Sequence, residues 1–411
     1  MNGRTSVRIN KALAAVSVLC FLLILCSACG ANEEILFPDP NLDAAIRDTI
    51  DKPTGEIYAE DLKGLTELYV QKRGIIDISG LEHCTSLTDL LISYNNISDL
   101  SPLSNLNLTY LDLMYNEISD LSPLAGLANL TLLALEYNRI SDLSPLASLT
   151  SLRILHLRDN NISDISILSG LTQLEKLGLS DTQVSDLSPL AGLTDLRGLW
   201  LGATQIRDIS YLTGFTKLRD LNLSLTQISD LSPLSGLTDL ESLYLSNNQI
   251  SDLTPLSGLT NLRDLDLEKN QISDISPLSS LTMLRSLHLE ENQVSDISPL
   301  SSLTRLRSLH LEENHMSDLS PLSGITNLVG LGLDSNRISD LSPLSGLTNF
   351  EALRLRENQI SDISPLLNTE WGTGERLGLG GWLYLEGNPL SATSINTYIP
   401  LIESKGVDVS W

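Results

Sequence analysis

The chain has 411 residues, 42% of them hydrophobic but only 4% aromatic, so its apolar mass is aliphatic and mostly leucine. Lys and Arg total 26 against 51 Asp and Glu, a formal net charge of −25. That balance argues against a nucleic-acid partner, which needs a basic footprint for its phosphates, and suits basic or cation-bridged partners. The first segment in chain order reads as targeting rather than fold. Arg4, Arg8 and Lys11 precede an almost unbroken apolar run from Ala12 to Cys26, short for a membrane span and flanked like a signal peptide.

Ser27 and Ala28 before Cys29 resemble the lipobox of bacterial lipoproteins. The match departs at the third position before the cysteine, where leucine is usual and Cys26 stands. The resemblance implies a signal peptide over 1–28, lipidation of Cys29 as the new N-terminus, and a tether over 29–35. Plain secretion after Ala28 or Ala31 is the alternative. Cleavage before Cys29 removes three cations and no acidic residue, taking the charge from −25 to −28. Cys20 and Cys26 leave with the signal, so Cys84 is the one unmodified thiol and no disulfide framework exists. Cys84 reads as a small buried apolar residue. The lipid would be the membrane anchor.

Residues 36–64 form a predicted helical cap. "FPDPNLDAAIRDTI" starts with a turn and runs into a helix with Leu42, Ala45, Ile46 and Ile50 on one face. "AEDLKGL" then leads into a repeat that occupies 65–368. Aligned on one leucine (Ile92, Leu113, Leu135, Leu157 and so on to Leu355), the period is 22 residues, with a single 21 at the start. Val70 opens the series and Leu385 closes it, giving about 15 coils. In "LRSLHLEENQVSDISPLSSLT" the short alternating stretch predicts a strand. Leu287 and Leu289 face one side, and Ser286, His288 and Glu290 the other. One such strand cannot bury its leucines alone, whereas stacked coils share a core. At about 4.8 Å per coil the stack would be on the order of 70 Å long.

The pattern L-x-x-L-x-L-x-x-N-x-I-x-D-[IL]-S-P-L resembles leucine-rich repeats of the internalin type, found on bacterial surface proteins. The resemblance covers 36–411. It implies an α/β solenoid: a right-handed horseshoe with a parallel concave sheet, short convex 3₁₀ turns and helical caps at both ends. No immunoglobulin-like domain or cell-wall sorting motif is recognisable after the repeats, so host-cell invasion does not carry over.

Asparagine recurs after the strand (Asn95, Asn116, Asn138, Asn160, Asn248, Asn270, Asn292, Asn314, Asn336, Asn358 and Asn388), where a turning backbone needs a side chain that both donates and accepts. Thr182, Thr204 and Thr226 replace it in three coils, which predicts a local adjustment but no break. In "SDLSPL" the serine before proline is expected to cap a 3₁₀ turn. A column of 14 aspartates beside it, Asp77 to Asp362, is expected to accept backbone N–H bonds. Residues 369–411 supply a Gly-rich insertion, a last coil, a terminal helix stopped at Gly406 and a short final strand.

Catalytic signatures are not found. His288 and His310 would stack on adjacent strands beside Glu290 and Glu312, a geometry able to hold a divalent metal. The two coils are near duplicates, however, so copying accounts for the second histidine, and the open face implies no pocket. No metal, cofactor or catalytic residue is assigned; a metal-dependent hydrolase at these strands stays as a minor alternative. "DLDLEKN" fails as a calcium loop because Lys269 stands where glycine is needed. The concave face is the functional candidate. It carries Leu91, Tyr94, Tyr110, Met114, Tyr115 and Tyr137, then Trp200, Leu225 and Tyr244, then an acidic section with Asp264, Asp266, Glu268, Glu290, Glu291, Glu312, Glu313 and Asp334. At least five of the ten tyrosines are expected at outward strand positions, more than packing needs. The resulting expectation is a monomeric, non-enzymatic, lipid-anchored extracytoplasmic protein that binds a protein or glycan. An envelope spacer without a ligand is the alternative.

Overall fold

The computed structural model describes residues 33–369, 371 and 381–411. Cys29, the signal segment and most of the Gly-rich insertion lie outside the described residues. Sixteen three-residue strands, β1 (Glu67–Tyr69) to β16 (Asp408–Ser410), form one parallel sheet in strict chain order. This is the horseshoe expected from the repeat. Each strand buries its central residue and turns its flanking residues outward; in Ser286–His288, Leu287 has no exposure. Central leucines pair in register from coil to coil, as Leu265 with Leu287 and Leu287 with Leu309. One continuous core of mostly Leu and Ile therefore runs from Ile35 to Val407. Cys84 is inside it, and burial pushes its thiol up to about 12.

On the convex side each coil turns through a short 3₁₀ segment such as Ser298–Ser302. The aspartates accept turn amides as expected, whereas the serine does not cap the turn. Asp296 Oδ1 accepts the Ser298 N–H at 2.8 Å, and Asp99, Asp186 and Asp340 do the same for Ser101, Ser188 and Ser342. The serine is the first residue of the 3₁₀ segment. The aspartate two residues earlier reaches the amide that the helical turn leaves unpaired.

The asparagine ladder ties coils together. Asn292 Nδ2 donates to the Leu289 carbonyl of its own coil and to the Leu267 carbonyl of the coil before, while its Oδ1 accepts the Ile272 N–H. The threonines bond less widely: Thr182 and Thr204 donate to Leu179 and Leu201 within their own coils. The strands pair without a break through this section.

Helix α1 (Pro40–Thr49) buries Leu42, Ala45 and Ile46 at the N-terminal end. Asp39 Oδ1 accepts the N–H groups of Asn41 and Leu42, and its Oδ2 those of Ile76 and Asp77 in the first coil. Burial raises the Asp39 carboxyl, but these four amides outweigh it and hold the group below its ordinary range. Gly80 has φ +100, and a Cβ there would meet the Phe37 ring at 2.6 Å, so glycine lets the cap close on the first coil. A four-residue helix, α2 (Ala59–Leu62), precedes β1. At the far end the single expected helix is split. A π-type turn, Ser394–Tyr398, leads into α3 (Ile399–Glu403), with Pro400, which has no N–H to donate, at the junction. Gly406 at φ +86 ends it, and β16 adds beside Trp382–Tyr384.

Candidate functional site on the concave face

The concave face has three sections with different chemistry. In the first, Tyr94, Tyr115 and Tyr137 are not in the strands, contrary to the sequence expectation. They occupy the corner just after them, with φ of 59°, 54° and 57°. The same corner is left-handed in every coil from Lys72 to Glu357, because the chain must turn inward there toward the asparagine. The same left-handed backbone at steps of 21 and 22 residues stacks the rings. Centroids are 4.3 Å apart for Tyr94–Tyr115 and 4.0 Å for Tyr115–Tyr137, with planes within 15° and 10°. Lys72 Nζ lies 4.7 Å from the Tyr94 ring, and the Arg158 guanidinium carbon 5.7 Å from the Tyr137 ring. The result is a column of three phenols closed by a cation at each end. Its hydroxyls are neighbours as well: a hydrogen bond with Tyr137 pushes Tyr115 up to about 12. Tyr110 is on a strand, half-buried, and burial raises its phenol.

The second section is a notch. Trp200 lies across Gly198, where a Cβ would meet its ring at 2.5 Å. Gly178 leaves a gap between Trp200 and His156, whose rings are 5.9 Å apart at 66°. The depression holds about 160 Å³ and is lined by Glu136, His156, Arg158, Ser180, Trp200 and Asn222. The open-face expectation therefore needs correction: glycines at outward strand positions cut a recess into the sheet. His156 Nδ1 lies 3.0 Å from Glu136 Oε1. Tyr244 is exposed beyond the notch.

The third section is an acidic trough of about 330 Å³ lined by Glu268, Glu290, Glu291, Glu312, Glu313, Asp334, Ser335, Arg354, Arg356 and Glu357. Asp264 and Asp266 are on the strand leading to it. Burial pushes Asp266 and Asp334 up despite their backbone hydrogen bonds. The trough is not purely acidic. Lys269 bridges Glu268 at 3.0 Å and Glu291 at 2.7 Å, and hydrogen bonds to both raise its pKa. Arg356 pairs with Glu386 at 2.9 Å. His288 and His310 stack at 4.6 Å with planes 4° apart.

A family model for leucine-rich repeats matches residues 106–148, 150–192, 172–214, 216–258, 238–280, 282–324 and 326–368, well over half of the chain; a second leucine-rich-repeat model matches 83–100. The solved structure of an internalin, InlF from Listeria monocytogenes, is 36% identical, with a TM-score of 0.67 over 82% of this chain and 96% of that one. The chain is a leucine-rich-repeat protein of the internalin type. The functional domain of Listeria monocytogenes InlJ, which includes a cysteine ladder, matches at 24% identity and TM-score 0.66 over 85% of this chain and 80% of that one. The ectodomain of an Arabidopsis thaliana receptor kinase, solved in complex with Casparian strip integrity factor 2, matches at 23% identity and TM-score 0.52, over 74% of this chain and 46% of that one. A comparison with curated proteins finds no match. Internalin-type repeats are generally protein-interaction modules.

In this internalin-type chain the ladder is built from asparagine, and the free cysteine among the described residues is Cys84. Sequence reasoning missed the cations of the concave face. Lys72 was legible, since it stands two residues after Val70, the corner that holds tyrosine in the next three coils. Arg158 was not, because it precedes the corner residue of its coil and reaches the Tyr137 ring only through stacking.

Proposed function

We propose that this chain is a non-enzymatic binding protein of the bacterial envelope, lipid-anchored through Cys29, that holds a protein partner along its concave face as a monomer. The observation that carries the reading is the column Lys72–Tyr94–Tyr115–Tyr137–Arg158 on the same concave face as the trough that ends at Glu357. Stacking covers the ring faces, so the column offers a partner a rigid ridge of ring edges and hydroxyls. Little side-chain freedom remains to be lost on binding. The trough steers a basic segment of the partner, which raises the on-rate and makes it salt-dependent. The general role of internalin-type repeats, and the plant receptor solved with its protein factor, support a protein as the occupant.

The test is affinity capture from envelope extract with wild type beside a Tyr94→Ala/Tyr115→Ala/Tyr137→Ala variant. The variant is expected to recover the partner at least about tenfold less well, since loss of even 1.4 kcal/mol has that effect. Equal recovery sinks the column as the binding site. Palmitate labelling of wild type and Cys29→Ser decides the anchor: label on both, or on neither, removes the lipid from the reading.

A further inference from the structure

We propose that His288, Glu290 and His310, with Glu312 alongside, form a binding site for a divalent transition ion of the zinc class. From the sequence, the two histidines were accounted for by coil duplication. The structure adds distances, partners and space. Glu290 Oε1 lies 3.1 Å from His288 Nδ1 and 3.7 Å from His310 Nδ1, and Glu312 Oε1 lies 3.3 Å from His310 Nδ1. Neighbouring ligand atoms around a tetrahedral zinc with bonds near 2.05 Å are about 3.4 Å apart. The O–N separations bracket such an edge, and Glu290 is the carboxylate that reaches both rings. Potential ligand atoms of His288, Glu290 and His310 all lie within 4.8 Å of one another.

The other ring nitrogens are occupied in the way a metal site needs. Ser286 Oγ lies 3.2 Å from His288 Nε2, and Ser308 Oγ 3.0 Å from His310 Nε2. A serine oxygen that accepts from Nε2–H leaves the Nδ1 lone pair free for an ion and fixes the ring's direction. On the carboxylate side, Glu290 Oε2 and Glu312 Oε2 are buried without a hydrogen-bond partner. Arg354 Nη1 approaches Glu312 Oε1 at 3.8 Å, but the buried Oε2 atoms stay without a partner, an arrangement that a further cation relieves. Gly332 makes room for the set: a Cβ there would meet Glu312 Oε1 at 2.0 Å.

The rings are near-parallel, and an imidazole lone pair lies in its ring plane. Binding therefore turns His288, the more exposed ring at 37%, about its Cβ–Cγ bond and gives up its Ser286 contact, while Ser308 keeps His310 in place. His156 is the internal contrast. It meets a single carboxylate, Glu136, and its neighbours at the serine and glutamate positions are Ile154 and Arg158. Two imidazoles with one carboxylate suit zinc, whereas magnesium and calcium take all-oxygen sets.

The test is calorimetric titration of Zn²⁺ into the chelator-stripped full chain at pH 7.5, with Mg²⁺ as the control ion. One zinc site is expected, lost by at least about 100-fold in His288→Ala/His310→Ala, because even changes one bond further out cost about 10–100-fold. His156→Ala is expected to bind as wild type, and Ser308→Ala about tenfold more weakly. Circular dichroism of each variant without metal checks that the fold is retained. Zinc binding that survives the double substitution, Mg²⁺ binding of equal strength, or no zinc heat at millimolar concentration overturns the proposal. The readout needs no partner protein, so the binding-surface reading stands or falls separately.

Discussion

The coils with asparagine and the coils with threonine at the same rung show how the solenoid is held. At Asn292 one side chain reaches the carbonyl and the N–H of the preceding coil. At Thr182 and Thr204 the hydroxyl reaches only its own coil. The buried amides that would meet the missing oxygens, those of Ile162, Val184 and Ile206, have no protein acceptor among the described residues. Strand pairing is nevertheless continuous across both kinds of coil. Backbone pairing and leucine burial are therefore sufficient to stack the coils, and the asparagine is a second, separable tie between them. The weaker-tied section is also the one where Gly178 and Gly198 open the Trp200 notch.

The largest expected effect is that of Asn292→Thr, which imports the weaker rung into a strong section. Loss of two inter-coil bonds at a buried site should cost about 2–3 kcal/mol, read as a lower urea midpoint. A change under about 0.5 kcal/mol would mean that the ladder adds nothing to pairing. The reverse substitution, Thr204→Asn, places an amide within reach of the Leu179 carbonyl and the Val184 N–H. It should stabilise by about 1 kcal/mol; destabilisation would show that these coils are packed around the smaller side chain.

Native-state hydrogen exchange reads the same contrast without mutation. The amides of Ile162, Val184 and Ile206 should exchange several-fold faster than those of Ile140, Ile250 and Ile272, which have asparagine acceptors. Equal protection would refute the difference between the two kinds of rung. The smallest effect is on pH dependence and should be the same in both sections. Hydrogen bonds accepted from the residue two positions on hold Asp186 and Asp296 below the ordinary carboxylate value, as they do Asp252. A depressed folded pKa contributes stability that is present above about pH 4 and lost as pH falls through it. Asp296→Asn, which keeps an acceptor but cannot titrate, should flatten the acid decline of the urea midpoint slightly. An unchanged decline would mean that the turn carboxylates are not its source.

Much of this architecture was legible because it repeats. A 22-residue period with leucine, asparagine and aspartate at fixed offsets determines strand, ladder and turn once stacking is assumed, and Leu287, Asn292 and Asp296 are where that logic puts them. The aspartates accept turn amides as their column predicted; the serine's expected capping role failed, because the backbone path places it inside the 3₁₀ segment. The tyrosines were identified as surface residues but misplaced by one structural step. A period-two reading extends the strand through Tyr115, whereas the chain has already entered a left-handed corner there. The notch at Trp200 escaped notice because a glycine on an outward position signals nothing until its neighbours' side chains are in place.

The sequence by itself determined the solenoid and the direction of the repeat leucines, because both are set by local periodicity and by the need to bury apolar side chains. Tertiary structure alone decided what the concave face presents. Side chains 22 residues apart become neighbours only when coils stack in register, and that stacking converts three separate tyrosines into a cation-closed column. It also converts two copied histidines, with the Glu290 carboxylate, into one cluster of ligand atoms.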